Sequence, residues 1–358
     1  MDIFNVDIVV PVWNRPIETR NCLVNLAQHS TGARFILVDN GCDRETERLL
    51  QEFAERLDHN ALLLRTDTNQ GVVRAVNRGL ARAEAAYVVV VRNTSVVTDG
   101  WLEPLVAFAE SRPDAGVIIP RLIETRDGDK KKRKTGQGSP MEVSLCSLAA
   151  MLIRKELYDL VGGLEEEMDG GLWCLKDYSR RAYGEGFLTF AVEGGAVYYR
   201  EETPLGSVVR REESLKRSVS HFTERWGEER TFCVHIPKGA DIAIMRQRSE
   251  VMLRGARQGH FFTILVHSGL HKELIKAGFD RLHGNMRIEP LPLLFTEGGG
   301  RKILESLRRE TPGTVAVAGI DGIPFPGVDD ITAFSEVERI INAAEAERYG
   351  RGLKLCER

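Results

Sequence analysis

The chain has 358 residues, 42% of them hydrophobic and 28% charged, and carries a formal net charge of −3. This length predicts about two globular domains, and the charge excludes the basic field that nucleic-acid-binding proteins carry. The longest apolar runs, such as residues 88–91, are far shorter than the roughly 20 residues of a membrane-spanning helix, and no secretory leader pattern opens the sequence. Six scattered cysteines without a Cys-x-x-Cys pair indicate a reducing compartment, so we expect a cytoplasmic protein.

Strand and helix patterns alternate from the start of the chain. The predicted strands are 6–12, 34–39, 61–65 and 86–91, and the predicted helices are 16–29, 43–57 and 71–83. Because uniformly apolar strands are usually buried on both faces, this pattern predicts a doubly wound α/β domain with a mostly parallel sheet. Ligands bind such sheets at the carboxyl ends of the strands, so we expect the functional loops to follow residues 12, 39 and 91.

A polar segment at 124–140 interrupts the pattern. Its KKKRK run at 130–134 either contacts an anionic acceptor, a membrane surface or nucleic acid, or forms a solvated loop, which we favour. Beyond it, the same reasoning predicts strands at 147–153 and 187–192 and helices at 155–161 and about 208–226.

The alternation restarts after Gly227. The predicted strands there are 231–236, 261–267, 287–295 and 314–320, and the predicted helices are about 240–257, 270–277, 301–310 and 335–348. We therefore predict two domains, 1–228 and a smaller α/β domain of unknown role at 231–358. Within the second, the glycine-rich segment 296–307 either cradles a phosphate or forms a flexible connection, and we favour the connection.

Six segments of the first 227 residues stand in an order and spacing found in one known family. They are VVPVWNRP at 9–16, ILVDNGCDRET at 36–46, TNQGVVRAVNRGLARA at 68–83, VVTDGWLEPL at 96–105, LIRKELYDLVGGLEE at 152–166 and HFTERWG at 221–227. Together they resemble the family 2 glycosyltransferases of the GT-A fold. That resemblance implies a GT-A-like domain that moves a sugar from a nucleoside diphosphate donor to an acceptor.

The resemblance implies a set of donor-binding residues in the loops after the predicted strands. They are Pro11, Val12, Trp13, Asn14, Arg15, Asp39, Gly71, Arg74, Asn77, Asn93 and Thr94. Asp39 matches the aspartate that contacts the nucleotide base, or it caps the helix that starts near Asp43. Gly71 precedes a helix whose free N–H groups can face a phosphate, although a plain tight turn would need the same glycine. Trp13 either stacks on a ligand or simply packs.

The metal motif of the family is replaced in this chain. Where the family carries Asp-x-Asp or Asn-x-Asp, the sequence reads Arg92-Asn93-Thr94-Ser95, and the nearest acid, Asp99, is too far along the chain. Thr94 stands in place of the metal-binding aspartate, and a hydroxyl and an amide hold a hard divalent cation poorly. We therefore expect no metal cofactor, and we assign Arg92 the catalytic role of neutralising the donor diphosphate directly.

The catalytic base motif is replaced as well. Cys174 and Leu175 occupy the positions of the usual Glu-Asp pair, and Tyr199 occupies that of a histidine that often binds the metal. Asp177 matches only the third acidic position, and we assign it the role of general base. The other candidates for that role precede it: Glu165, Glu166 and Asp169.

Two hypotheses follow from this mixture of matches and replacements. In the first, the protein transfers a sugar from a nucleoside diphosphate to a saccharide or other hydroxyl acceptor without a metal. In the second, it is an inert GT-A homologue that binds a glycan or a nucleotide sugar, or acts as a scaffold. Under either hypothesis we expect no nucleic-acid partner and no transmembrane segment, and we allow for a homo-oligomer.

Overall fold

The computed structural model describes residues 5–125, 140–200, 208–291 and 296–350, which divide into two compact units. The first unit runs to Gly227 but leaves out Met141–Ser144, which belongs with Glu228 and the residues after it to the second unit. The KKKRK run at 130–134 lies outside the described residues, as do residues 292–295 of a predicted strand.

Strands and helices alternate through both units. The strands are β1 (Val6–Val12), β2 (Arg34–Asn40), β3 (Ala61–Thr66), β4 (Tyr87–Val91), β5 (Val96–Val97), β6 (Ala115–Glu124), β7 (Met141–Glu142), β8 (Ala150–Arg154), β9 (Leu188–Tyr199), β10 (Thr231–His235), β11 (Phe261–Val266), β12 (Met286–Pro290), β13 (Val315–Ala318) and β14 (Thr332–Ala333). The helices are α1 (Pro16–His29), α2 (Arg44–Leu57), α3 (Val72–Leu80), α4 (Glu103–Ser111), α5 (Lys155–Val161), α6 (Trp173–Gly184), α7 (Val208–Trp226), α8 (Ile242–Arg257), α9 (Ser268–Lys276), α10 (Thr296–Glu310) and α11 (Phe334–Gly350).

The first unit is built on one large sheet. Its strands follow the order β3-β2-β1-β4-β8-β6-β9-β5, with β3, β2, β1 and β4 parallel to one another and β8 antiparallel to β4 and β6. All seven residues of β1 are buried because the strand lies between β2 and β4 and is covered on both faces. The doubly wound, mostly parallel α/β architecture that the sequence predicts is confirmed. Its topology brings the carboxyl ends of β1, β2 and β4 to one edge.

A buried ion pair fastens the opposite, amino end of β1. Arg34 at the start of β2 donates to both carboxylate oxygens of Asp7 at 2.7 and 2.8 Å, and the backbone N–H groups of Glu84 and Ala85 donate to the same carboxylate. Burial alone would raise the pKa of Asp7, but the hydrogen bonds from Arg34 and from the backbone hold that pKa below its ordinary value. The pair therefore fixes the register of the two strands that carry the site loops.

The second unit has its own parallel sheet, in the order β12-β11-β10-β13-β14, with an apolar core on each face. The short strand β7 is part of this unit. The carboxylate of Glu142 accepts two hydrogen bonds from Arg257 of α8, at 2.7 and 2.8 Å, and the backbone of Glu142 accepts one from Gly284. This attachment of residues 141–144 has no local sequence signal.

The glycine-rich segment of the second unit is helical, so the predicted flexible connection is wrong. Helix α10 begins at Thr296, and Gly298 and Gly300 lie inside its first turns. A Cβ atom at Gly300 would lie 2.8 Å from the ring of Phe325, which is fully buried. The glycine is therefore required by close packing of the helix against an aromatic ring rather than by a turn or a phosphate.

In the described part of the chain, no helix combines the length and the hydropathy needed to cross a bilayer.

Candidate functional site

The loop after β1 is strained and is held by its neighbours. Asn14 and Arg15 both adopt left-handed backbone angles, with φ of 55° and 62°. Residues other than glycine rarely adopt this conformation. The Asn14 side-chain oxygen accepts from the backbone N–H of Asp43 at 2.7 Å, and its carbonyl accepts from the hydroxyl of Thr19 at 3.2 Å. Such strain is kept where surrounding contacts enforce it, and it is concentrated at functional sites. Trp13, beside this turn, is half-buried.

Asp39 is buried at the end of β2, next to this loop, and does not cap the following helix. Its Oδ1 accepts from the backbone N–H of Cys42 at 2.9 Å, whereas the cap of α2 is Asp43, which accepts from Thr46 at 2.8 Å. Of the two roles considered for Asp39, the helix cap is therefore wrong, and contact with a nucleotide base stays a prediction. Burial, helped by the Asp39 carboxylate, raises the pKa of the Cys42 thiol to about 12.

The next residue, Asn40, ties β2 to the loop before α3. Its side-chain nitrogen donates to Asn69 at 2.9 Å and to the carbonyl of Gly71 at 3.3 Å, and its oxygen accepts from the backbone of Gln70 at 3.0 Å. Gly71 has φ of 93° and begins α3 without a side-chain cap. The first N–H groups of α3 therefore lack a capping side chain, the arrangement that lets a helix N-terminus receive an anion.

The loop after β4 contains Arg92, Asn93 and Thr94. The Asn93 amide is buried and donates to Thr19 at 2.9 Å and to the Asn14 carbonyl at 3.4 Å, so it connects this loop to the one after β1. The Thr94 hydroxyl oxygen is buried without a hydrogen-bond partner. Within the described ranges, the half-buried Arg92 guanidinium has no hydrogen bond or ion pair, so its charge is not matched by a carboxylate.

These residues do not fit a divalent cation. The loop after β4 offers an arginine, a threonine hydroxyl and an amide already engaged as a donor, and none is a good ligand for a hard cation. The following acid, Asp99, is fully exposed and lies 3.7 Å from a nitrogen of His29. Across the part of the chain that the structure describes, no three His, Cys, Asp or Glu side chains are grouped to share a metal ion.

Asp177 is placed as a structural anchor and not as a general base. Its side chain is fully buried on α6, where one oxygen accepts from Arg181 at 2.7 Å and the other from the indole nitrogen of Trp226 at 2.9 Å. A guanidinium nitrogen of Arg225 lies 3.2 Å from the same carboxylate. The predicted role of Asp177 is corrected for this reason: a carboxylate closed off by three donors has no free oxygen for an acceptor hydroxyl.

Cys174 and Leu175, which the sequence resemblance aligns with an acidic pair, are both buried in the first turn of α6. Burial raises the pKa of the Cys174 thiol to about 12, so it stays protonated. A buried and protonated thiol is unreactive, which agrees with a packing role.

A polar pocket of about 180 Å³ opens beside the N-terminus of α3. It is lined by Gln70, Gly71, Val73, Arg74, Glu166, Glu167, Asp169 and Arg217. Two predicted donor-binding residues, Gly71 and Arg74, are thus pocket residues. Asn77 lies behind them and supports the wall, because its side chain hydrogen-bonds the backbone N–H and carbonyl of Leu164 at 2.8 and 2.9 Å.

The acidic residues of the pocket differ in how they are bound. Glu166 accepts from Arg74 at 3.0 Å and from Asn77 at 3.1 Å, and Asp169 accepts from Ser214 at 2.9 Å. Arg217 lies 3.4 Å from Asp169. The described residues make no hydrogen bond or ion pair to the exposed side chain of Glu167.

Four of these pocket residues are not among the candidates that the sequence provides: Gln70, Val73, Glu167 and Arg217. Glu167 follows two considered acids, Glu165 and Glu166, so only its place in an acidic run could have indicated it. Arg217 comes from α7, about fifty residues further along, and no local pattern marks it.

Comparisons with known proteins point to one family. Residues 7–164 match the family model described as glycosyl transferase family 2. Over 118 residues, 33% of this chain and 21% of the relative, the sequence is 28% identical to polypeptide N-acetylgalactosaminyltransferase 13 of Homo sapiens, and the same figures hold for the Rattus norvegicus protein. The crystal structure of GalNAc-T7 with UDP, GalNAc and Mn²⁺ gives a TM-score of 0.51 at 13% identity, covering 62% of this chain and 48% of that one. The chain thus spans about a fifth of the length of these curated relatives, and the structural likeness shows the fold.

Proposed function

We propose that this chain, whose N-terminal domain is a glycosyltransferase family 2 domain of the GT-A fold, transfers a sugar from a nucleoside diphosphate to a hydroxyl acceptor. The uridine diphosphate in the similar structure, and the N-acetylgalactosamine transferase relatives, make UDP-GalNAc the first donor to test. The observation that carries the proposal is the half-buried Arg92 at the end of β4, whose positive charge no carboxylate matches within the described ranges.

In the proposed reaction, Arg92 acts on the leaving group. The acceptor oxygen attacks the anomeric carbon, the bond from that carbon to the diphosphate breaks, and its electron pair passes to a phosphate oxygen. A guanidinium stabilises this developing charge through two parallel hydrogen bonds, the work that a divalent cation performs elsewhere. We therefore propose a metal-independent reaction, supported by the poor fit of the residues after β4 to a cation.

Asp39 and the N-terminus of α3 would hold the rest of the donor. The buried Asp39 carboxylate can accept a hydrogen bond from a base N–H group at Oδ2, because the Cys42 backbone donates to Oδ1 and the Arg65 guanidinium lies 4.0 Å from Oδ2, beyond hydrogen-bond distance. The uncapped first turn of α3, which follows Gly71, offers N–H groups to a phosphate. Asn40 links these two places through its bonds to Asn69 and Gly71.

The second hypothesis, an inert homologue, keeps one specific observation in its favour. The positions that the sequence resemblance aligns with the acidic pair hold the buried Cys174 and Leu175, and the carboxylate of Asp177 is closed off by donors. A protein with this arrangement can bind a nucleotide sugar without transferring it.

The test measures thermal unfolding of the full chain with UDP, UDP-GalNAc and the corresponding guanosine, thymidine and cytidine compounds. Each is added once with manganese and once with a chelator. A ligand at about 100 times its Kd stabilises the folded state by about 2.7 kcal/mol, which is readily measured. We expect a UDP-dependent shift that survives chelation, is lost in Arg92→Ala, and is kept in Arg48→Ala, an exposed arginine of α2. A shift that requires manganese would contradict metal independence, and no shift with any nucleotide would contradict the proposed function.

A further inference from the structure

We propose that Glu167 is the general base that takes the proton from the acceptor hydroxyl. This inference rests on the proposed function and names a residue for the same site. Glu167 lies in the wall of the pocket beside α3, on the segment that follows the paired glycines at 162 and 163. It is the acid of that wall to which the described residues make no hydrogen bond or ion pair.

The neighbouring carboxylates are committed to other partners. Glu165 is paired with Arg225 at 3.1 Å, Glu166 with Arg74 at 3.0 Å, and Asp169 contacts Arg217 at 3.4 Å. To accept a proton, each of these acids would have to give up the attraction of a guanidinium. Asp177 is excluded by burial, as described above. Of these five acids, Glu167 is the one that no described residue holds in an ion pair.

The pocket also adjoins the proposed donor-binding residues. The lining includes Gln70, Gly71 and Arg74, and the hydrogen bonds of Asn40 tie the backbone of Gln70 and Gly71 to the end of β2. A general base must lie next to the acceptor, and the acceptor must lie next to the donor sugar. A pocket that is lined both by the proposed donor segment and by a carboxylate without a partner among the described residues meets both conditions.

The charge of the pocket indicates the class of acceptor. Three carboxylates and two guanidiniums line it, which leaves a net charge of −1 that belongs to Glu167 when the other acids are paired. An acceptor carrying its own carboxylate or phosphate in this pocket would be repelled. We therefore expect a neutral or cationic acceptor, such as an uncharged or amino sugar.

The acceptor O–H proton passes to a Glu167 carboxylate oxygen while the acceptor oxygen forms a bond to the anomeric carbon. The bond from that carbon to the diphosphate breaks, and the nucleoside diphosphate leaves with its electron pair. Glu167 then returns its proton to water.

The experiment measures UDP release from UDP-GalNAc by the full chain, with water and then with a panel of neutral, amino and acidic sugars as acceptors. In Glu167→Gln we expect kcat to fall about 100-fold or more, the range for loss of a general base. The KM for the donor and the donor-induced thermal shift should stay within twofold, because Glu167 does not hold the donor. The rise of kcat with pH on the acidic side should disappear in the same variant, and Glu167→Asp should restore part of the rate.

The matched control is Glu156→Gln, which makes the same change at an exposed position of α5 and should leave kcat unchanged. Turnover by Glu167→Gln within threefold of the wild-type rate would overturn the assignment. Donor-dependent stabilisation without turnover in the wild type would also overturn it, in favour of a binding protein. A wild type that shows neither stabilisation nor turnover would instead overturn the proposed function.

Discussion

The Nε atom of Arg181 lies 2.7 Å from Oδ2 of Asp177, one turn away on α6, and both side chains are buried. The other two nitrogens of the same guanidinium donate to the carbonyls of Val161 and Gly163, at 2.6 and 2.7 Å. Asp177 thereby orients Arg181, which holds the backbone just before the pocket residues Glu166 and Glu167. Asp177, the acid to which the sequence assigns a catalytic role, therefore stabilises the segment that leads to the pocket and does not line the pocket itself.

Replacing Asp177 should therefore cost stability. Asp177→Asn leaves the buried Arg181 without its counter-charge, and breaking a buried ion pair costs about 3–5 kcal/mol. The measurement is the free energy of unfolding by urea. Asp159→Asn is the control, since Asp159 forms an exposed pair with Lys155 and such pairs contribute less than about 1 kcal/mol. Equal stability of the wild type and Asp177→Asn would contradict the anchoring role.

The pair between Asp7 and Arg34 predicts a specific loss of stability in acid. Because the pKa of Asp7 is lower in the folded protein than its ordinary value of 3.8, the unfolded chain binds the proton more readily. The stabilisation is complete above pH 4 and is lost as the pH falls through the folded pKa. We expect Asp7→Asn to be less stable at pH 7 by about 3 kcal/mol, and to lose less stability than the wild type below pH 4. If the unfolding free energies of the two proteins fell in parallel below pH 4, the predicted contribution of Asp7 would be contradicted.

His283 predicts a second pH dependence, in the second unit. Its ring is buried, its Nδ1 accepts from the backbone of Asn285 at 3.0 Å, and burial, together with the charge of Arg257, lowers its pKa to about 3. The nearby carboxylate of Glu142 does not offset this, because Arg257 already pairs with it. The imidazole is therefore neutral in the folded protein and becomes charged in the unfolded chain below pH 6.5.

Stability of the second unit should thus fall as the pH drops from 6.5 towards 3, by up to about 1.4 kcal/mol per pH unit. The measurement compares unfolding free energies at pH 7 and pH 4.5 for the wild type and His283→Asn, whose side-chain oxygen can accept from Asn285. The fall in unfolding free energy between pH 7 and pH 4.5 should be smaller in His283→Asn than in the wild type. It should be unchanged in His59→Asn, since His59 is an exposed histidine of the first unit. An equal fall in unfolding free energy in His283→Asn and in the wild type would contradict the prediction.

The elements follow from the sequence far better than the site does. The predicted helix 155–161 is α5 (Lys155–Val161), and the predicted strand 6–12 is β1, because apolar spacing within a short window determines each. The contacts that shape the site join residues far apart: Asp177 and Trp226 are 49 positions apart, and Arg74 and Glu166 are 92. Pairing between residues so far apart in sequence depends on how helices pack on a sheet, and this packing produces no periodic pattern in the sequence.

For the same reason, the sequence indicates the loops at the carboxyl edge of the sheet but not the state of their side chains, and the contact of these loops with a donor stays a prediction. Gly71 and Arg74 were found because they belong to a contiguous motif after a strand. Glu166 is paired with Arg74, whereas the described residues make no hydrogen bond or ion pair to Glu167. This difference depends on where each side chain lies on a short turn. Three adjacent glutamates look alike in a sequence and differ only in what the fold places beside them.

Gly41 gives the last prediction, because it lets the loop after β2 approach the loop before α3. Its φ is 71°, and a Cβ atom there would lie 2.4 Å from the backbone of Thr68, so alanine is strained in both conformation and space. We expect Gly41→Ala to lower the free energy of unfolding by about 2–3 kcal/mol and to weaken UDP binding, since Asp39 and Asn40 precede it. Gly298→Ala is the control: it lies in α10 with no atom within 4 Å of the added methyl, and should stabilise by about 0.5–1 kcal/mol. If calorimetry and UDP titration show both alanine variants behaving alike, close approach of the two loops is not what Gly41 provides.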